Sequence, residues 1–347
     1  MQRFCPSNGD SGLQINTTTV FAVAPSCPLL VFVMSEINVL YCFDNNFWRL
    51  AAVSITSLMN TQKKPENIVI HCMVAPHTHG MRKIRKIITG RGGKLVWRVI
   101  KPRENPYRGY EYSRWSPVIF YRLFAHRVFP HLEKILYLDS DTLIQDDLTQ
   151  LYNTDVSKYA LGAVRDMAPT EVADNPNGKY VREFIADYLK HGLYINSGVL
   201  LLNLPRMREC EQDLLNVRTP LKYPDQDILN VGLDGKIREL PLKNNFIPEM
   251  LVSSKFKKRD IDMAQRHATV HHFYAIKPYM YHPAFPKTYS EFYRVASQIG
   301  FYPEDFVSAD IKRHQKKNKV KFDSSTNIPH LRIDKRGRLK LFGIFRV

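Results

Sequence analysis

The chain has 347 residues, of which 44% are hydrophobic, and a formal net charge of +17. This length suffices for one large α/β domain or two small ones, and so basic a balance suggests a polyanionic partner, either nucleic acid or an anionic membrane surface. The five cysteines are widely spaced and include no Cys-x-x-Cys pair, which argues against a disulfide framework or a zinc ribbon and fits a reducing compartment.

The first 35 residues differ in composition from the rest of the chain. Ser, Asn, Thr and Pro dominate, and the apolar piece at residues 20–33 is broken by Pro25 and Pro28. A signal peptide would need a basic amino-terminal region, and Arg3 is the one basic residue there. We predict that residues 1–35 are a disordered or mis-assigned leader. No apolar run in the chain approaches the ~20 residues needed to span a bilayer.

From Ile37 onwards, strand patterns alternate with helix patterns. This alternation is typical of a mostly parallel sheet with helices on both faces, and we predict one such domain over residues 36–285. The predicted strands are 37–43, 68–74, 95–100, 135–138, 159–164, 193–204 and 268–273, and the predicted helices include 48–60, 81–89 and 117–129.

A buried cation is predicted in the helix that begins at Ser116 and Pro117. Ser is a good N-cap and Pro is favoured at the first helical position. Arg122 lies among apolar neighbours in this helix, and a cation so placed needs an anionic partner. The strand that follows ends in aspartates, which we predict to be that partner. The alternative is an arginine that extends along the helix surface into solvent.

The stretch from Lys134 to Thr142 is an apolar strand that runs directly into two carboxylates. Side chains two apart on an extended chain point the same way, so Asp139 and Asp141 are predicted to share one side at the carboxyl end of a central strand. Open α/β sheets place their ligands there. Two anions so close repel each other unless a cation lies between them, and we predict a divalent metal. The alternative is an ordinary strand-ending turn.

Further polar residues follow at three points. Asp166 ends the strand predicted at 159–164, and the tripeptide from Asn196 to Gly198 interrupts an otherwise buried strand, which suggests a close backbone approach. Asp225 and Gln226 are predicted to stand at the exposed, electropositive entrance of a helix.

The carboxyl-terminal tail concentrates the charge. The last 38 residues contain 12 Lys and Arg against three Asp, a net +9 of the total +17. Basic clusters alternate there with apolar residues, a mixture that fits docking on anionic lipid, where each basic residue contributes about 1 kcal/mol. We predict that residues 286–347 form a basic, helical, membrane-docking extension. The alternative is a solvated, partly disordered tail.

Five motifs, in order between Ile37 and Tyr279, resemble glycosyltransferase family eight. They are Phe43-Asp-Asn-Asn46, Leu136-Tyr-Leu-Asp-Ser-Asp141, Asn196-Ser-Gly-Val199, Asp225-Gln-Asp227, and His271 with Lys277-Pro278. The family contains retaining nucleotide-sugar transferases, including bacterial lipopolysaccharide galactosyl- and glucosyltransferases and, more distantly, glycogenin. The resemblance implies a GT-A-type single nucleotide-binding domain, α/β in class, with a mostly parallel central sheet flanked by helices.

The resemblance also implies a metal site. Asp139, Asp141 and His271 match the ligands of Mn²⁺, which bridges the two phosphates of a UDP-sugar. Two carboxylates and an imidazole suit Mn²⁺, whereas all-oxygen sites favour Mg²⁺, the alternative ion. The chain departs from the family pattern His-Phe-x-Gly-x-x-Lys-Pro-Trp, because Tyr274 replaces the Gly. The adjacent His272 is a rival ligand whose side chain is expected to point to the other face.

Substrate-binding and catalytic residues are carried over in the same way. The substrate-binding set is Asp44, Asn46, Arg122, Ser140, Asn196, Ser197 and Lys277, and the catalytic set is Gln226, Asp225 and Asp166. Asp44 and Asn46 match positions that hold uracil and ribose, and Lys277 adds a positive charge beside the diphosphate. Gln226 corresponds to the group beside the anomeric carbon. An amide is a poor nucleophile, so front-face substitution is favoured over double displacement, with Gln226 stabilising the oxocarbenium-like centre.

The hypothesis that results is Mn²⁺-dependent, retaining transfer of galactose or glucose from a UDP-sugar to a glycan such as lipopolysaccharide core. The expected location is cytoplasmic, peripheral on the cytoplasmic face of the inner membrane, with the tail on anionic lipid. One alternative is a glycogenin-like or other UDP-sugar transferase that uses a different acceptor. A nucleic-acid-binding protein is motivated by charge alone, and no nucleic acid is expected because basic residues are not interleaved with aromatic ones in a binding motif. A third alternative is a catalytically inactive homologue that binds sugar nucleotides.

Overall fold

A computed structural model gives the fold of the chain. It describes residues 36–110, 116–166, 176–219, 221–247, 258–274, 277–278, 286–306, 331–333, 339–341 and 345–346. All of these lie in the unit from Ser35 to Val347. The predicted leader, residues 1–35, lies outside the described residues.

The described elements alternate between strands and helices. The strands are β1 (Ile37–Phe43), β2 (Ile68–Val74), β3 (Lys94–Val99), β4 (Lys134–Leu138), β5 (Thr142–Ile144), β6 (Leu161–Arg165), β7 (Ile195–Asn203), β8 (Ile237–Leu240), β9 (Val270–His272), β10 (Leu331–Ile333), β11 (Leu339–Leu341) and β12 (Phe345–Arg346). The α-helices are α1 (Trp48–Thr61), α2 (Met81–Thr89), α3 (Ala125–Val128), α4 (Thr149–Tyr152), α5 (Pro176–Tyr188), α6 (Leu204–Glu209), α7 (Glu211–Leu215), α8 (Pro224–Gly232), α9 (Lys258–Arg266) and α10 (Pro286–Ser297).

Seven of the strands form the central sheet, in the order β3-β2-β1-β4-β7-β6-β8. All neighbours are parallel except β7, which runs antiparallel to both β4 and β6. The prediction of a mostly parallel sheet is therefore confirmed. Because β7 is reversed, its amino end lies at the same edge as the carboxyl ends of β1, β4 and β6. The strands β5 and β9 form a separate antiparallel pair.

The central strands are covered on both faces, because successive side chains point to opposite sides of the sheet. In β1, Val39 and Tyr41 belong to one core cluster and Leu40 and Cys42 to the other. The helices α1 and α10 contribute to the first cluster, and α3 and α8 are among the elements of the second. This double burial explains why the central strands read as unbroken apolar runs.

The predicted helix at 117–129 is less regular than expected. Residues Pro117–Phe124 form a 3-10 helix, and only the single turn of α3 that follows is α-helical. Ser116 is the N-cap, as predicted, and its side chain accepts a hydrogen bond from the backbone N–H of Val118 at 3.5 Å.

The beginning of the predicted carboxyl-terminal extension packs into the domain core. Phe292 is completely buried, and the Trp48 and Phe301 rings meet edge to face with centroids 5.5 Å apart. The later described parts form an antiparallel sheet, β10-β11-β12, so the prediction of helix is wrong for these segments. In the sequence, Leu339 and Leu341 flank Lys340, and this alternation of apolar and polar residues is typical of a β-strand. The other tail residues lie outside the described ones.

Within the described ranges, no helix combines the length and apolarity required to cross a bilayer.

The central position of β4 predicts an uneven cost of truncating apolar side chains. Leu136 is fully buried in β4, whereas Val96 on the edge strand β3 is 46% exposed. Leu136→Ala is expected to reduce the free energy of unfolding by about 2 to 5 kcal/mol, and Val96→Ala by less than about 1 kcal/mol. Urea unfolding followed by circular dichroism measures both. Equal losses in the two variants would contradict the assigned sheet order.

Candidate functional site

A pocket of about 320 Å³ opens at the edge of the sheet where β1 and β4 end. Its volume lies within the range of small-molecule sites. Seven of the residues predicted from the sequence line it, namely Asp44, Asn46, Arg122, Asp139, Ser140, Asp141 and Lys277. A larger pocket of about 750 Å³, beside α9, contains none of the predicted residues. We assign the function to the smaller pocket because charged groups converge there.

The two predicted carboxylates share one side of the chain, but a turn brings them together rather than strand alternation. The backbone N–H of Asp139 donates to the Gly198 carbonyl at 2.8 Å and so continues the pairing of β4 with β7. The Thr142 hydroxyl then donates to the Asp139 carbonyl at 2.8 Å, which closes a turn. Asp141 lies within this turn and is 5% exposed. The predicted proximity of Asp139 and Asp141 is confirmed. The predicted cause, alternation along an extended strand, is wrong, because a turn brings the two side chains together.

His272, and not His271, lies beside these carboxylates, so the structure corrects the predicted ligand. The Nε2 atom of His272 is 3.7 Å from Asp139 Oδ2 and 3.5 Å from Asp141 Oδ1. Antiparallel pairing of β9 with β5 sets His272 opposite Thr142, immediately after the turn. The ring of His271 packs near Phe246 instead, with centroids 5.5 Å apart.

A sequence signal for His272 was present. His272 and Phe273 form the His-Phe pair of the family pattern, with one residue fewer before Lys277 than that pattern has. Counting back six residues from Lys277 selects His271 instead. Among the described residues His271 has no hydrogen-bond partner for either ring nitrogen, and burial lowers its pKa to about 4.

The three side chains Asp139, Asp141 and His272 fit a divalent metal. Ligand atoms from all three lie within 4.8 Å of one another, and they are the one such group of three or more in the described parts of the chain. Nδ1 of His272 is hydrogen-bonded to Asn245 Oδ1 at 3.0 Å, so Nε2 is the atom that faces the carboxylates. Carboxylates and imidazole are both ligands of divalent metal ions.

Lys277 also contacts this group. Its Nζ is hydrogen-bonded to Asp141 Oδ2 and to the Tyr274 carbonyl, the latter at 3.0 Å. Burial raises the pKa of Asp141, but the adjacent Lys277 ammonium lowers it, and this pKa lies well below its ordinary value. Asp141 is therefore ionised and able to bind a cation.

Arg122 is buried behind the carboxylates, and the prediction of an anionic partner is confirmed. Its Nη2 is 2.9 Å from Asp139 Oδ1, and its Nη1 is 3.3 Å from Asp225 Oδ2. Burial works against the charge, but Asp139 and its neighbours raise the pKa of Arg122 above its ordinary value. The Tyr137 hydroxyl donates to the same oxygen of Asp139 at 2.5 Å. Asp139 is thus held from behind, with its other oxygen directed towards His272.

The remaining predicted residues form a buried layer below the pocket. Asp225 and Gln226 are 8% and 4% exposed, so their predicted position at an exposed helix entrance is wrong. The hydroxyl of Ser197 donates to Asp225 at 2.9 Å, and its backbone N–H donates to Gln226 Oε1 at 3.1 Å. Asp166 accepts from Gln226 at 3.2 Å and from Asn196 at 2.9 Å. Burial raises the pKa of Asp225, although Arg122 opposes this shift.

Asp44 and Asn46 lie at the other end of the pocket, after β1. Oδ1 of Asp44 accepts the Asn46 backbone N–H at 2.8 Å, and Oδ2 accepts the Ser116 hydroxyl at 2.8 Å. Within the described chain, the buried hydroxyl of Ser140 has no hydrogen-bond partner. An unsatisfied buried hydroxyl between the two aspartates suits a polar ligand group.

The sequence analysis missed the groups that hold this layer in place. Asp227 accepts hydrogen bonds from Tyr194 at 2.5 Å and Tyr180 at 2.9 Å, and from the backbone N–H groups of Lys222 and Tyr223 at 2.9 Å each. These bonds fix the start of α8, which carries Asp225 and Gln226. Tyr180 and Tyr194 are 47 and 33 residues away from Asp227 in the sequence, so no local motif indicates these two bonds.

Comparison with known proteins agrees with this geometry. The model of the family described as "Glycosyl transferase family 8" matches residues 38–281. A lipopolysaccharide 1,2-glucosyltransferase of Escherichia coli is 25% identical over 283 residues, which cover 78% of this chain and 80% of that protein. A putative glycosyltransferase of Haemophilus influenzae is 28% identical over 220 residues, which cover 61% and 63% of the two chains.

Solved structures share the fold. The galactosyltransferase LgtC, solved in complex with donor and acceptor sugar analogues, superposes with a TM-score of 0.62 at 22% identity, covering 78% of this chain and 99% of that one. The glycosyltransferase GlyE of Streptococcus pneumoniae superposes with a TM-score of 0.54 at 18% identity, covering 86% and 67%. The prediction of a GT-A-type domain is confirmed.

The close approach predicted at Gly198 can be tested by adding one methyl group. A Cβ at Gly198 would lie 2.2 Å from His272 Cε1 and 3.0 Å from Asp139 Oδ2, so the imidazole must move. Gly198→Ala is expected to weaken Mn²⁺ binding by at least about 10-fold in calorimetric titration. A Cβ at Gly109 meets no atom within 4 Å, so Gly109→Ala is the control. Unchanged Mn²⁺ affinity in Gly198→Ala would show that His272 takes no part in the site.

Proposed function

Because this chain belongs to glycosyl transferase family 8, we propose that it transfers galactose or glucose from a UDP-sugar to a glycan with retention of anomeric configuration, using Mn²⁺. The chain is a glycosyltransferase of this family, as the resemblance predicted. Beyond family membership, we propose the identities of the donor, the metal and the acceptor. The observation that carries it is the convergence of Asp139, Asp141 and His272 in one pocket.

The metal would be held by Asp139, Asp141 and His272. When bound, it supplies Lewis acidity to the diphosphate leaving group and neutralises charge as the bond to the anomeric carbon breaks. The imidazole favours Mn²⁺ over Mg²⁺, which prefers oxygen ligands. Lys277, already at Asp141, adds a positive charge beside the same diphosphate.

The nucleotide would bind at the end of the pocket next to β1. Asp44 and Asn46 line the pocket there and offer a carboxylate and an amide for the uracil imide and the ribose hydroxyls. The hydroxyl of Ser140 would donate to a phosphate oxygen or a sugar hydroxyl. This arrangement orders the donor along the sheet edge, from base to sugar.

The sugar would lie over the buried layer formed by Gln226, Asp225, Asp166, Asn196 and Ser197. The amide of Gln226 is held at both ends, by Ser197 N–H and by Asp166, so its orientation is fixed before the donor binds. A second lone pair on Oε1 can face the positive charge that develops at the anomeric carbon. Because an amide is a poor nucleophile, we propose front-face substitution, in which Gln226 stabilises the transition state.

The related protein LgtC also has a glutamine in its active site. A solved active-site variant of LgtC replaces a glutamine by glutamate, and that structure superposes on this chain with a TM-score of 0.63 at 22% identity. Asp225 would act with Gln226, since both follow Pro224 at the start of α8 and both are bonded to Ser197.

The proposed acceptor is a glycan of the lipopolysaccharide core, since two Escherichia coli relatives carry the name lipopolysaccharide 1,2-glucosyltransferase. We further propose a cytoplasmic enzyme, peripheral on the cytoplasmic face of the inner membrane. The net +9 of the last 38 residues supports attraction to anionic lipid.

The donor and the metal can be tested together. The wild-type protein, incubated with a panel of UDP-sugars and Mn²⁺, is expected to release UDP from UDP-galactose or UDP-glucose. His272→Ala should lower this rate at least about 100-fold by removing an electrostatic contribution to the transition state. His271→Ala is the matched control and should keep most of the activity, because that ring faces away from the carboxylates. No UDP release from any UDP-sugar would refute the proposed donor.

The membrane proposal is tested by truncation. A chain that ends before Asp310 keeps α10, Phe301 and Phe306, which pack into the domain core. It is expected to keep the rate of UDP release and to lose binding to vesicles of anionic phospholipid, because it lacks the net +9 of the tail. Cosedimentation with anionic and with zwitterionic vesicles measures the loss. Undiminished binding of the truncated chain to anionic vesicles would rule out the tail as the docking segment.

A further inference from the structure

A chain of buried hydrogen bonds connects the backbone of β7 to His272. The Gly198 N–H donates to Asn196 Oδ1 at 3.0 Å, and Asn245 Nδ2 donates to the same oxygen at 2.8 Å. Asn245 Oδ1 is then 3.0 Å from His272 Nδ1. Asn245 is fully buried, and Asn196 and His272 are 1% and 2% exposed, so solvent does not compete for these bonds. Each hydrogen bond therefore constrains the next one.

The donor and the acceptor of each of these hydrogen bonds can be assigned by starting from the backbone N–H of Gly198. A backbone N–H can only donate, so the Asn196 atom that faces Gly198 must be the oxygen. The amide nitrogen of Asn196 then faces Asp166, an acceptor, at 2.9 Å. An oxygen cannot donate, so the Asn245 atom that faces Asn196 must be the nitrogen. The remaining atom, Asn245 Oδ1, must therefore accept a hydrogen bond from the N–H of His272 Nδ1.

We propose that Asn245 is a positioning residue that holds His272 in its Nδ1–H tautomer. In this tautomer the Nε2 lone pair is free and faces Asp139 Oδ2 and Asp141 Oδ1, at 3.7 and 3.5 Å. A metal ion binds the unprotonated ring nitrogen, and the hydrogen bond at the other nitrogen selects which one that is. The role as a metal ligand rests on the proposed function, whereas the proton on Nδ1 follows from the hydrogen bonds alone.

The backbone around Asn245 is fixed independently of its side chain. The N–H of Phe246 donates to the Val270 carbonyl at 2.8 Å, and the N–H of His272 donates to the Phe246 carbonyl at 2.9 Å. These bonds attach the end of the 3-10 helix Leu242–Asn245 to β9. Replacing the Asn245 side chain should consequently leave the His272 backbone in place and remove only the constraint on the ring.

The first experiment measures the affinity of the full-length protein for Mn²⁺, in the presence of UDP, by calorimetry. Asn245→Leu is expected to lower this affinity by about 10- to 100-fold, the usual effect of losing a hydrogen bond that orients a ligand. Asn38→Leu is the matched control, because Asn38 Oδ1 also bonds a buried histidine, His71, at 2.8 Å, and lines a different pocket. An affinity within about 2-fold of wild type in Asn245→Leu, where His272→Ala loses binding, would overturn the proposal.

The second experiment reads the tautomer in the metal-free protein. Nitrogen NMR of isotopically labelled histidines, at a pH where His272 is neutral, is expected to show a protonated Nδ1 and an unprotonated Nε2. The His272→Gln variant assigns the signals, and Asn245→Leu should shift them towards the other tautomer. Protonated Nε2 in the wild-type protein would contradict the proposal even if Asn245→Leu does not fold. If wild type binds no Mn²⁺, the proposed function fails, while the NMR result still decides the role of Asn245.

Discussion

The buried ion pair between Arg122 and the carboxylates of Asp139 and Asp225 is the interaction on which the rest of the site depends. Three carboxylates, with Asp141 as the third, crowd one edge of the sheet, and their mutual repulsion would favour protonation in a buried setting. Arg122 offsets this repulsion through its ion pairs with Asp139 and Asp225, and Lys277 does so through its ion pair with Asp141. Removing one partner of a buried pair costs about 3 to 5 kcal/mol, because it leaves an uncompensated charge. With Arg122 in place, the pocket presents ionised oxygens to a cation.

The reversed strand β7 explains how residues so far apart in the sequence meet. Parallel strands alone bring Asp44, Asp139 and Asp166 to one edge, because each follows the carboxyl end of a strand. The antiparallel course of β7 adds Asn196 and Ser197 from its amino end. The antiparallel pairing of β9 with β5 then places His272 opposite Thr142, beside the two aspartates. Gly198 makes this possible, since any side chain there would occupy the space of the imidazole.

Much of the fold could be predicted from the sequence, because burial on both faces of the sheet leaves unbroken apolar runs such as residues 135–138. The carboxylates at strand ends and the buried Arg122 were predictable for the same reason, since local pattern and burial agree. The predictions from sequence are wrong where tertiary contacts determine the position of a side chain. His271 and His272 are adjacent, and only the pairing of β9 with β5 determines which ring faces the pocket. Asp225 and Gln226 begin a helix, as predicted, but packing against β7 buries them. Asn245 belongs to no local motif, because its partners come from β7 and β9.

The central hypothesis is that Asp139, Asp141 and His272 together hold the metal of a nucleotide-sugar transferase. Diffraction from crystals grown with UDP and Mn²⁺, recorded at the manganese absorption edge, tests this claim most directly. The account predicts one anomalous peak within bonding distance of both aspartates and of His272 Nε2. A peak bound through His271, or no peak between the two carboxylates, would contradict it.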